Sequence, residues 1–556
     1  MYRCVGRDPN PMSLRSQISE TRALFHPRED PGTRKDKEVC SRRETYFVEL
    51  PAFSKIQESL HIYFENVGRQ YPAIRPEKTR SRIHDILEDL GYPSAGRAIY
   101  VHYVAAPTVA LLCIIVAIAE IIENDTSPTD TGATDFANHA RGLLSTFENL
   151  PPSLEALRCH TLITIYLLYM DSLDLALQSI AVTVRIAIAL RLHQRSPSPR
   201  EGSDSYDQNL WWTIYALDRN LAWLGGIPCL IRDEEIDAPR PTQNGQFQRF
   251  SAVTYTNCPD ELVEQIGPIE RSLHEEAKYL EALAYLGRIW ACIWNELVTD
   301  RSEPDCRWQA TEVLDAQLRI LQKQLPAGLI WRSPSSLGKD EERMLETAMQ
   351  RQLIVLMRIN TLRLFIRGNP ASNCTCLDRK SPHDNGVAIS AETIGAIMDF
   401  SSHHGGLLPI GHSISTTLVQ CILYLINIIG EPTNANGTES ASSSVVSAYQ
   451  VLVDLSDHCV SARNAVETLD EAILRYGDGP ARPNTEPIPQ PQPQCAGISR
   501  SEDLKGTHAQ GTRQTRRRSG TSTASKEIPR GNDLFDCLQK SYESLDSLLP
   551  NSVHSS

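Results

Sequence analysis

The feature that most constrains the fold of this chain is a succession of segments whose apolar residues recur every 3.6 positions, from Leu50 to about Tyr476. Short breakers such as Pro151-Pro152 separate these segments. No alternating strand pattern competes with them, so the sequence predicts an all-α, multi-helix body over residues 50–477. Residues 1–49 are polar and interrupted by prolines, which predicts a disordered N-terminal arm.

The residues after the body divide into two stretches. Residues 478–530 contain six prolines between Pro480 and Pro493 and no aromatic residue, so they predict a disordered linker rich in Pro and Arg. Residues 531–556 have the spacing of an acidic amphipathic helix. This helix is either an activation segment that folds in a groove of a partner or a last helix that docks on the body. Its apolar face consists of Leu534, Phe535, Leu538, Tyr542, Leu545, Leu548 and Leu549.

One apolar segment allows two interpretations. Ala98–Ala119 runs for 22 residues without Asp, Glu, Lys or Arg, about the length that a bilayer span requires. A helix buried on all sides in a large helical core predicts the same composition. Pro107 and His102 lie inside the segment and no second comparable span is evident, so we favour the buried helix and expect no membrane partner.

The distribution of charge bears on possible partners. The chain has 556 residues and a net charge of −13, and residues 50–477 alone carry −16. A body this acidic repels phosphate backbones, so any contact with DNA is expected from the mildly basic flanks or from a partner protein. In the linker, the basic run Arg516, Arg517 and Arg518 is either a nuclear localisation signal or a solvated charge run.

Motifs of enzymes and metal sites are scarce. The sequence has no Gly-x-Ser-x-Gly elbow, no glycine-rich phosphate loop and no His-Glu-x-x-His. Cys374 and Cys376 lie near Asp378, His383 and Asp384, but their spacing is irregular for a zinc site. We therefore expect no catalytic, cofactor-binding or metal-ligating residue, and a protein that is not an enzyme.

The most specific pattern lies between residues 160 and 241. One predicted helix has an apolar stripe with three tryptophans beside it, which predicts a packing hub. In the preceding apolar segment, Ser179–His193, Arg185 is the one charged residue between Ile180 and Leu190. A buried guanidinium needs a carboxylate, so we expect Arg185 to pair with Asp218 or, as the second candidate, with Asp237. The stripe and the tryptophans are Leu210, Ile214, Leu217, Leu221, Leu224, Trp211, Trp212 and Trp223.

The tryptophan helix is followed by Gly226-Ile-Pro228 and a proline-containing extended loop up to Pro241. The order, spacing and types of these residues, with those of the preceding helix, resemble the fungal-specific transcription factor regulatory domain, the middle homology region of zinc binuclear cluster regulators. The residues that carry the resemblance are Arg185, His193, Trp211, Trp212, Tyr215, Asp218, Arg219, Gly226, Pro228, Asp233, Asp237 and Pro241. We interpret them as a fold signature kept for packing, with a pocket for a small effector as the alternative.

This resemblance implies a regulator of transcription in the nucleus, acting on a metabolic or secondary-metabolite pathway. Its implied partners are the transcription machinery or a related factor, a second copy of the chain, and a small-molecule effector. One alternative is a partner of a complete zinc cluster factor that does not itself bind DNA. Another, of a different class, is a helical small-molecule binder or enzyme on the same scaffold.

The chain departs from the family in several places. Arg191 stands where the family usually has glycine, and Ile227 where it usually has arginine. The family binds DNA through six clustered cysteines, whereas residues 1–100 contain only Cys4 and Cys40. Two thiols cannot ligate a binuclear zinc cluster. Zinc is therefore expected only if a cluster is missing from this chain, and DNA binding only through such a module or indirectly.

Overall fold

The computed structural model describes residues 46–476, with gaps at 93–97, 124–131, 147–151, 196–204, 244–267, 300–303, 335–338, 369–379, 405–406 and 430–437. The predicted arm (1–45 of it), the linker, the C-terminal acidic helix and Arg516, Arg517 and Arg518 lie outside the described residues. Within the described part, helices account for every regular element except two short strands, which confirms the all-α fold class.

The described residues of the first half of the body form seven α-helices. They are α1 (Phe53–Gln70), α2 (Pro76–Asp89), α3 (Ala106–Glu123), α4 (Gly132–Thr146), α5 (Leu154–Tyr169), α6 (Leu173–Ala189) and α7 (Ser205–Gly225). Local chemistry fixes several of their starts. Pro76 occupies the first turn of α2, where its missing N–H costs nothing. The hydroxyl of Ser153 accepts from the backbone N–H of Ala156 and caps α5.

The second half also contains seven helices among the described residues. They are α8 (Pro268–Ile293), α9 (Pro304–Gln324), α10 (Lys339–Gly368), α11 (Lys380–His404), α12 (Gly411–Ile429), α13 (Thr438–Ser456) and α14 (Val460–Tyr476). The last helix ends one residue before the predicted boundary at 477.

A two-stranded antiparallel sheet is the element that the sequence did not predict. Strand β1 (Tyr46–Glu49) pairs with β2 (Ala98–Val101). Each strand has only four residues, too few for alternation to stand out against the helical pattern. Val48 and Val101 are fully buried, so both strands pack into the body. Residues 46–49, which the sequence placed in the arm, thus pair with a strand of the body.

The apolar segment Ala98–Ala119 is covered by protein. Its first four residues form β2 rather than helix, a further correction, and α3 packs against α1, α4 and α5. From Val109 to Ala119 every residue of α3 is buried, because helices surround it on all sides. By length and composition a second segment, Leu408–Ile429, also qualifies as a span, so the expectation of no second one was wrong; half of it is buried in the protein.

Two hydrophobic cores divide the body. The first is formed by the strands and α1 to α7 with Leu280 and Ala284 of α8, and the second by α8 to α14 with Ala216 of α7. Polar contacts cross the seam between them: the hydroxyl of Tyr169 donates to the carbonyl of Pro409 at 2.5 Å, and Arg351 donates to the carbonyl of Arg69 at 2.8 Å. Helices α7 and α8 pack directly across the same seam.

Candidate functional site

The turn after α6 begins the signature region. Leu190 ends the helix, and Arg191 follows with φ = +56°. The N–H of Leu192 donates to the carbonyl of Ala187 at 3.1 Å, and the N–H of Arg191 donates to the carbonyl of Ile188 at 2.9 Å. These two bonds are typical of an α-helix that ends with one residue in the left-handed conformation. The position where the resemblance expects glycine is therefore one that glycine occupies without strain.

The turn places the backbone carbonyl of His193 beside the exit loop, the segment that follows α7 up to Pro241. The backbone oxygen of His193 accepts from the N–H groups of both Asp237 and Ala238 at 2.9 Å. The imidazole of His193 lies 6.1 Å from the ring of Trp211, centroid to centroid. His193 thus joins the end of α6, the tryptophan helix and the loop after it.

Both leading tryptophans of α7 lie inside the core. Trp211 and Trp212 are each 1% exposed, which confirms the predicted packing hub. The indole N–H of Trp212 donates to the carbonyl of Pro239 at 3.0 Å, and its ring meets Tyr215 edge-on at 5.4 Å. An indole that fills the core and bonds the loop with its one donor fixes helix and loop together.

Asp218 anchors the first part of the exit loop. Its two carboxylate oxygens accept from the backbone N–H groups of Leu230 at 3.0 Å and Ile231 at 3.1 Å. Burial raises the pKa of this carboxyl, against the opposing effects of Arg219 and the two backbone donors. The side chain is 2% exposed, so it forms a buried bracket, a carboxylate that holds the loop backbone on α7 through these two hydrogen bonds.

Arg219 connects this bracket to Asp233. Its guanidinium donates to Asp218 at 3.3 Å and to Asp233 at 3.2 Å, and lies 4.4 Å above the ring of Tyr215. The Tyr215 hydroxyl donates to Asp233 at 2.7 Å. Burial by itself lowers the pKa of Arg219, but Tyr215, Cys229 and Asp233 reverse the shift, so the guanidinium stays charged.

The remaining signature residues shape the loop backbone. Gly226 has φ = +59° and closes α7, with the N–H of Ile227 bonded to the carbonyl of Ala222 at 3.1 Å. Pro228 is exposed in the extended segment that follows, and Pro241 is buried at the start of a short 3-10 turn. Asp237 contributes its backbone N–H, whereas its side chain is exposed.

The prediction for Arg185 was wrong. Its side chain is exposed and forms no ion pair with any described carboxylate, and Asp218 bonds Arg219 and the loop instead. Helix α6 is apolar almost all round, but one side of it faces solvent, where Val182 and Leu175 are each 48% exposed. Apolar composition without a polar face does not tell which sides of a helix the neighbouring helices cover.

A cavity of about 60 Å³ lies beside the signature network, at the seam of the two cores. Helices α7, α8, α10 and α12 line it, and its polar wall includes Arg219, Arg358 and His412. Sequence reasoning singled out neither Arg358 nor His412, because they come together only through the packing of α10 against α12.

No group of three or more His, Cys, Asp or Glu residues suited to a metal occurs among the described residues. Of the irregular set considered above, Cys374, Cys376 and Asp378 lie outside the described residues. The site therefore consists of a bonded helix-and-loop unit next to a seam cavity, and this geometry binds segments of the chain together.

The comparisons agree with the geometry. Residues 60–325, just under half of the chain, match the model of the fungal specific transcription factor domain. This match confirms the resemblance drawn from the residues between Arg185 and Pro241. No curated protein matches the chain. The matched region ends at Leu325, whereas the second core includes helices up to α14, so the folded body continues about 150 residues beyond it.

Proposed function

With residues 60–325 assigned to the fungal specific transcription factor domain, we propose that this protein regulates transcription through its helical body. The observation that carries the proposal is the domain match itself. Within that match, Tyr215, Asp218, Arg219 and Asp233 form one bonded unit. In this proposal the unit keeps the regulatory body folded in one arrangement.

The charge of the body supports an indirect route to DNA. Residues 50–477 carry a net charge of −16, which disfavours contact with phosphates. We therefore assign to the body the contacts with other proteins: the transcription machinery, a related factor or a second copy of this chain. Any salt-dependent binding of the purified chain to random duplex DNA at 50 mM salt is expected to be lost when Arg516, Arg517 and Arg518 are changed to alanine, whereas binding that survives this change would contradict the assignment.

Removing the gene from its fungus tests the function directly. We expect the levels of a limited set of transcripts to change several-fold, with genes of one metabolic or secondary-metabolite pathway enriched among them. A matched strain carrying Asp237→Asn, a change at an exposed carboxylate, is expected to keep the wild-type pattern. Unchanged transcript levels after removal, across growth conditions in which the gene is expressed, would contradict the proposal.

A nuclear location follows from the proposed role, and Arg516, Arg517 and Arg518 supply the candidate signal. A fluorescent fusion of the full chain is expected to accumulate in nuclei. Changing all three arginines to alanine should move it to the cytoplasm, whereas an unchanged nuclear signal would remove this run from the proposal. A matched fusion with Arg500 and Arg513 changed separates a local signal from general linker charge.

The acidic stretch 531–556 is the candidate activation segment. Fused to an unrelated DNA-binding domain, it should raise reporter transcription several-fold. Changing Leu538, Tyr542 and Leu545 to alanine should abolish that effect, because anchors at helical spacing fill the groove of a coactivator. An inactive fusion would leave docking on the body as its role.

A further inference from the structure

The seam cavity lies where four helices from both halves of the body meet, which is a common place for small-molecule sites. Its wall contains two arginines and a histidine but no Asp or Glu. Arg219 is already neutralised by Asp218 and Asp233. The positive charge of the cavity that no described carboxylate offsets is therefore that of Arg358.

Arg358 differs from its neighbours along α10. Arg351 pairs with Glu276, and Arg363 and Arg367 both pair with Asp315. Within the described part of the chain, Arg358 forms no ion pair or hydrogen bond; the groups that it influences are the hydroxyls of Tyr71 and Tyr279 and the ring of His412. The side chain is only partly exposed. A half-buried guanidinium without a carboxylate attracts an anion to the cavity.

His412, which lines the cavity, has a ring nitrogen that can accept a hydrogen bond. Asp171 accepts from the hydroxyl of Ser461 at 3.1 Å, so the Ser461 oxygen must in turn accept from Nδ1–H of His412 at 2.8 Å. Burial lowers the pKa of this imidazole, with Asp171 opposing and Arg358 adding to the shift, so the ring is neutral. This chain of bonds leaves Nε2 as a lone-pair acceptor, and Nε2 is buried without a partner.

The opposite wall is aromatic and also has an unused polar atom. Trp223 and Trp290 meet edge-on at 4.8 Å and both line the cavity. The indole N–H of Trp290 is buried and has no acceptor in the described structure. A buried donor and a buried acceptor, each without a partner and each on a lining residue, require groups that the protein itself does not supply.

The cavity volume limits the occupant. About 60 Å³ corresponds to the space of about four water molecules, or a compact organic molecule of about six or seven heavy atoms. An anion for Arg358, a hydrogen-bond donor for His412 and a short apolar body for the tryptophans together define one chemical class.

We propose that the seam cavity binds a small hydroxycarboxylate, whose carboxylate pairs with Arg358 and whose hydroxyl donates to Nε2 of His412. The carboxylate also supplies the acceptor that Trp290 lacks. Because the ligand contacts Trp290 on α8, Arg358 on α10 and His412 on α12, binding ties these three helices of the second half together. The binding step stands apart from the transcriptional role, so either proposal can fail without the other.

Calorimetric titration of the full chain tests this site with 2-hydroxybutyrate as the probe. Butyrate, which lacks the donor, and 2-hydroxybutyramide, which lacks the charge, are the matched ligands. We expect 2-hydroxybutyrate to bind at least about tenfold more tightly than either, as the loss of one buried charge-assisted bond predicts. No detectable heat with any of the three, or equal affinity for the acid and its amide, would overturn the proposal.

Variants then assign the charge to one residue. Arg358→Met should weaken 2-hydroxybutyrate binding at least about tenfold and remove the preference for acid over amide. Arg185→Met, at an exposed arginine far along the surface of α6, is the matched control and should bind as the wild type does. Wild-type affinity in Arg358→Met would also overturn the proposal. If that variant does not fold, the acid-to-amide ratio of the wild-type chain decides.

Discussion

At the scale of single residues, the signature of this chain is a set of hydrogen bonds rather than a reactive site. Asp218 gives both of its oxygens to loop N–H groups, and Arg219 spans two carboxylates above a tyrosine ring. All of these groups are engaged with one another, so the energetic role of the signature is to hold a loop on a helix. Substitutions here are expected to change folding first and regulation only through it.

Asp218→Ala should lower the free energy of unfolding by about 3 kcal/mol, because it leaves two backbone donors without an acceptor and removes one of the two carboxylates that the buried Arg219 guanidinium contacts. Urea unfolding followed by tryptophan fluorescence measures the loss. Asp237→Ala, which removes an exposed carboxylate from the same loop, should change stability by less than about 0.5 kcal/mol. Equal effects of the two variants would contradict the assignment of Asp218 as the bracket.

Arg191→Gly should stabilise the protein by about 1 kcal/mol, since residue 191 has φ = +56° and glycine adopts that conformation without a Cβ clash. The matched change Arg185→Gly, at an exposed position inside α6, should instead cost about 1 kcal/mol. The opposite signs are measured by thermal unfolding of the two variants. A loss of stability in both would show that Arg191 makes contacts that outweigh its backbone strain.

At the scale of helices and loops, the sequence predicted what local chemistry determines. The apolar stripe of α7 and the glycine turn at Gly226 are local signals, and both were found as expected. The prediction that Arg185 is buried and paired was wrong because one side of α6 faces solvent. Which side of a helix is exposed depends on the helices that pack around it. The four-residue strands depend on a partner some fifty residues away. Neither property is encoded within a short window of sequence.

Contact between α7 and α8 depends on one glycine. A Cβ on Gly287 would lie 2.7 Å from Cγ of Arg219 and 3.0 Å from the Tyr215 ring, and Arg219 is held in place by its two carboxylates. Gly287→Ala should therefore destabilise the protein by about 2 kcal/mol. Gly395→Ala, in α11 with nothing within 4 Å, should stabilise it by about 1 kcal/mol. Thermal unfolding of the two variants measures the opposite signs. Stabilisation by both changes would show that α7 and α8 move apart at no cost to accommodate the added Cβ.

Asp315 ties α9 to α10. It is fully buried and accepts from Arg363 at 2.9 Å and Arg367 at 2.6 Å. Burial opposes ionisation, but the hydrogen bonds from Arg367 and Arg363 outweigh it, so the pKa of Asp315 lies below its ordinary value of 3.8. Because the folded-state pKa is depressed, the stabilisation is complete above that ordinary value and is lost as the pH falls through the folded-state pKa.

Asp315→Asn should therefore cost about 3 kcal/mol at neutral pH, and the gap between variant and wild type should close as the pH falls below about 4. Unfolding free energies measured across pH 3 to 7 test both statements. Asp85→Asn, at an exposed carboxylate of α2, is the control and should leave the pH profile unchanged. A gap that stays constant down to pH 3 would contradict the assignment of the charge to this ion pair.

At the scale of the whole molecule, two cores meet at a seam that contains both the signature unit and the cavity. The domain match covers most of the first core and reaches only part of the second, yet the cavity needs α10 and α12 from beyond it. Arg358 and His412 are 54 positions apart in sequence. No local pattern links such residues, so the cavity could be found only once the helices were packed.

We propose that the folded body of this acidic chain controls transcription without contacting DNA itself. Tethering tests it most directly: the chain, with Leu538, Tyr542 and Leu545 changed to alanine so that the C-terminal stretch is inactive, is fused to an unrelated DNA-binding domain. The fusion is measured on a reporter of intermediate basal activity, on which either activation or repression is visible. We predict a several-fold change with the wild-type body and with Asp237→Ala, and loss of that change with Asp218→Ala. A fusion with the wild-type body that is indistinguishable from the DNA-binding domain alone would contradict the claim.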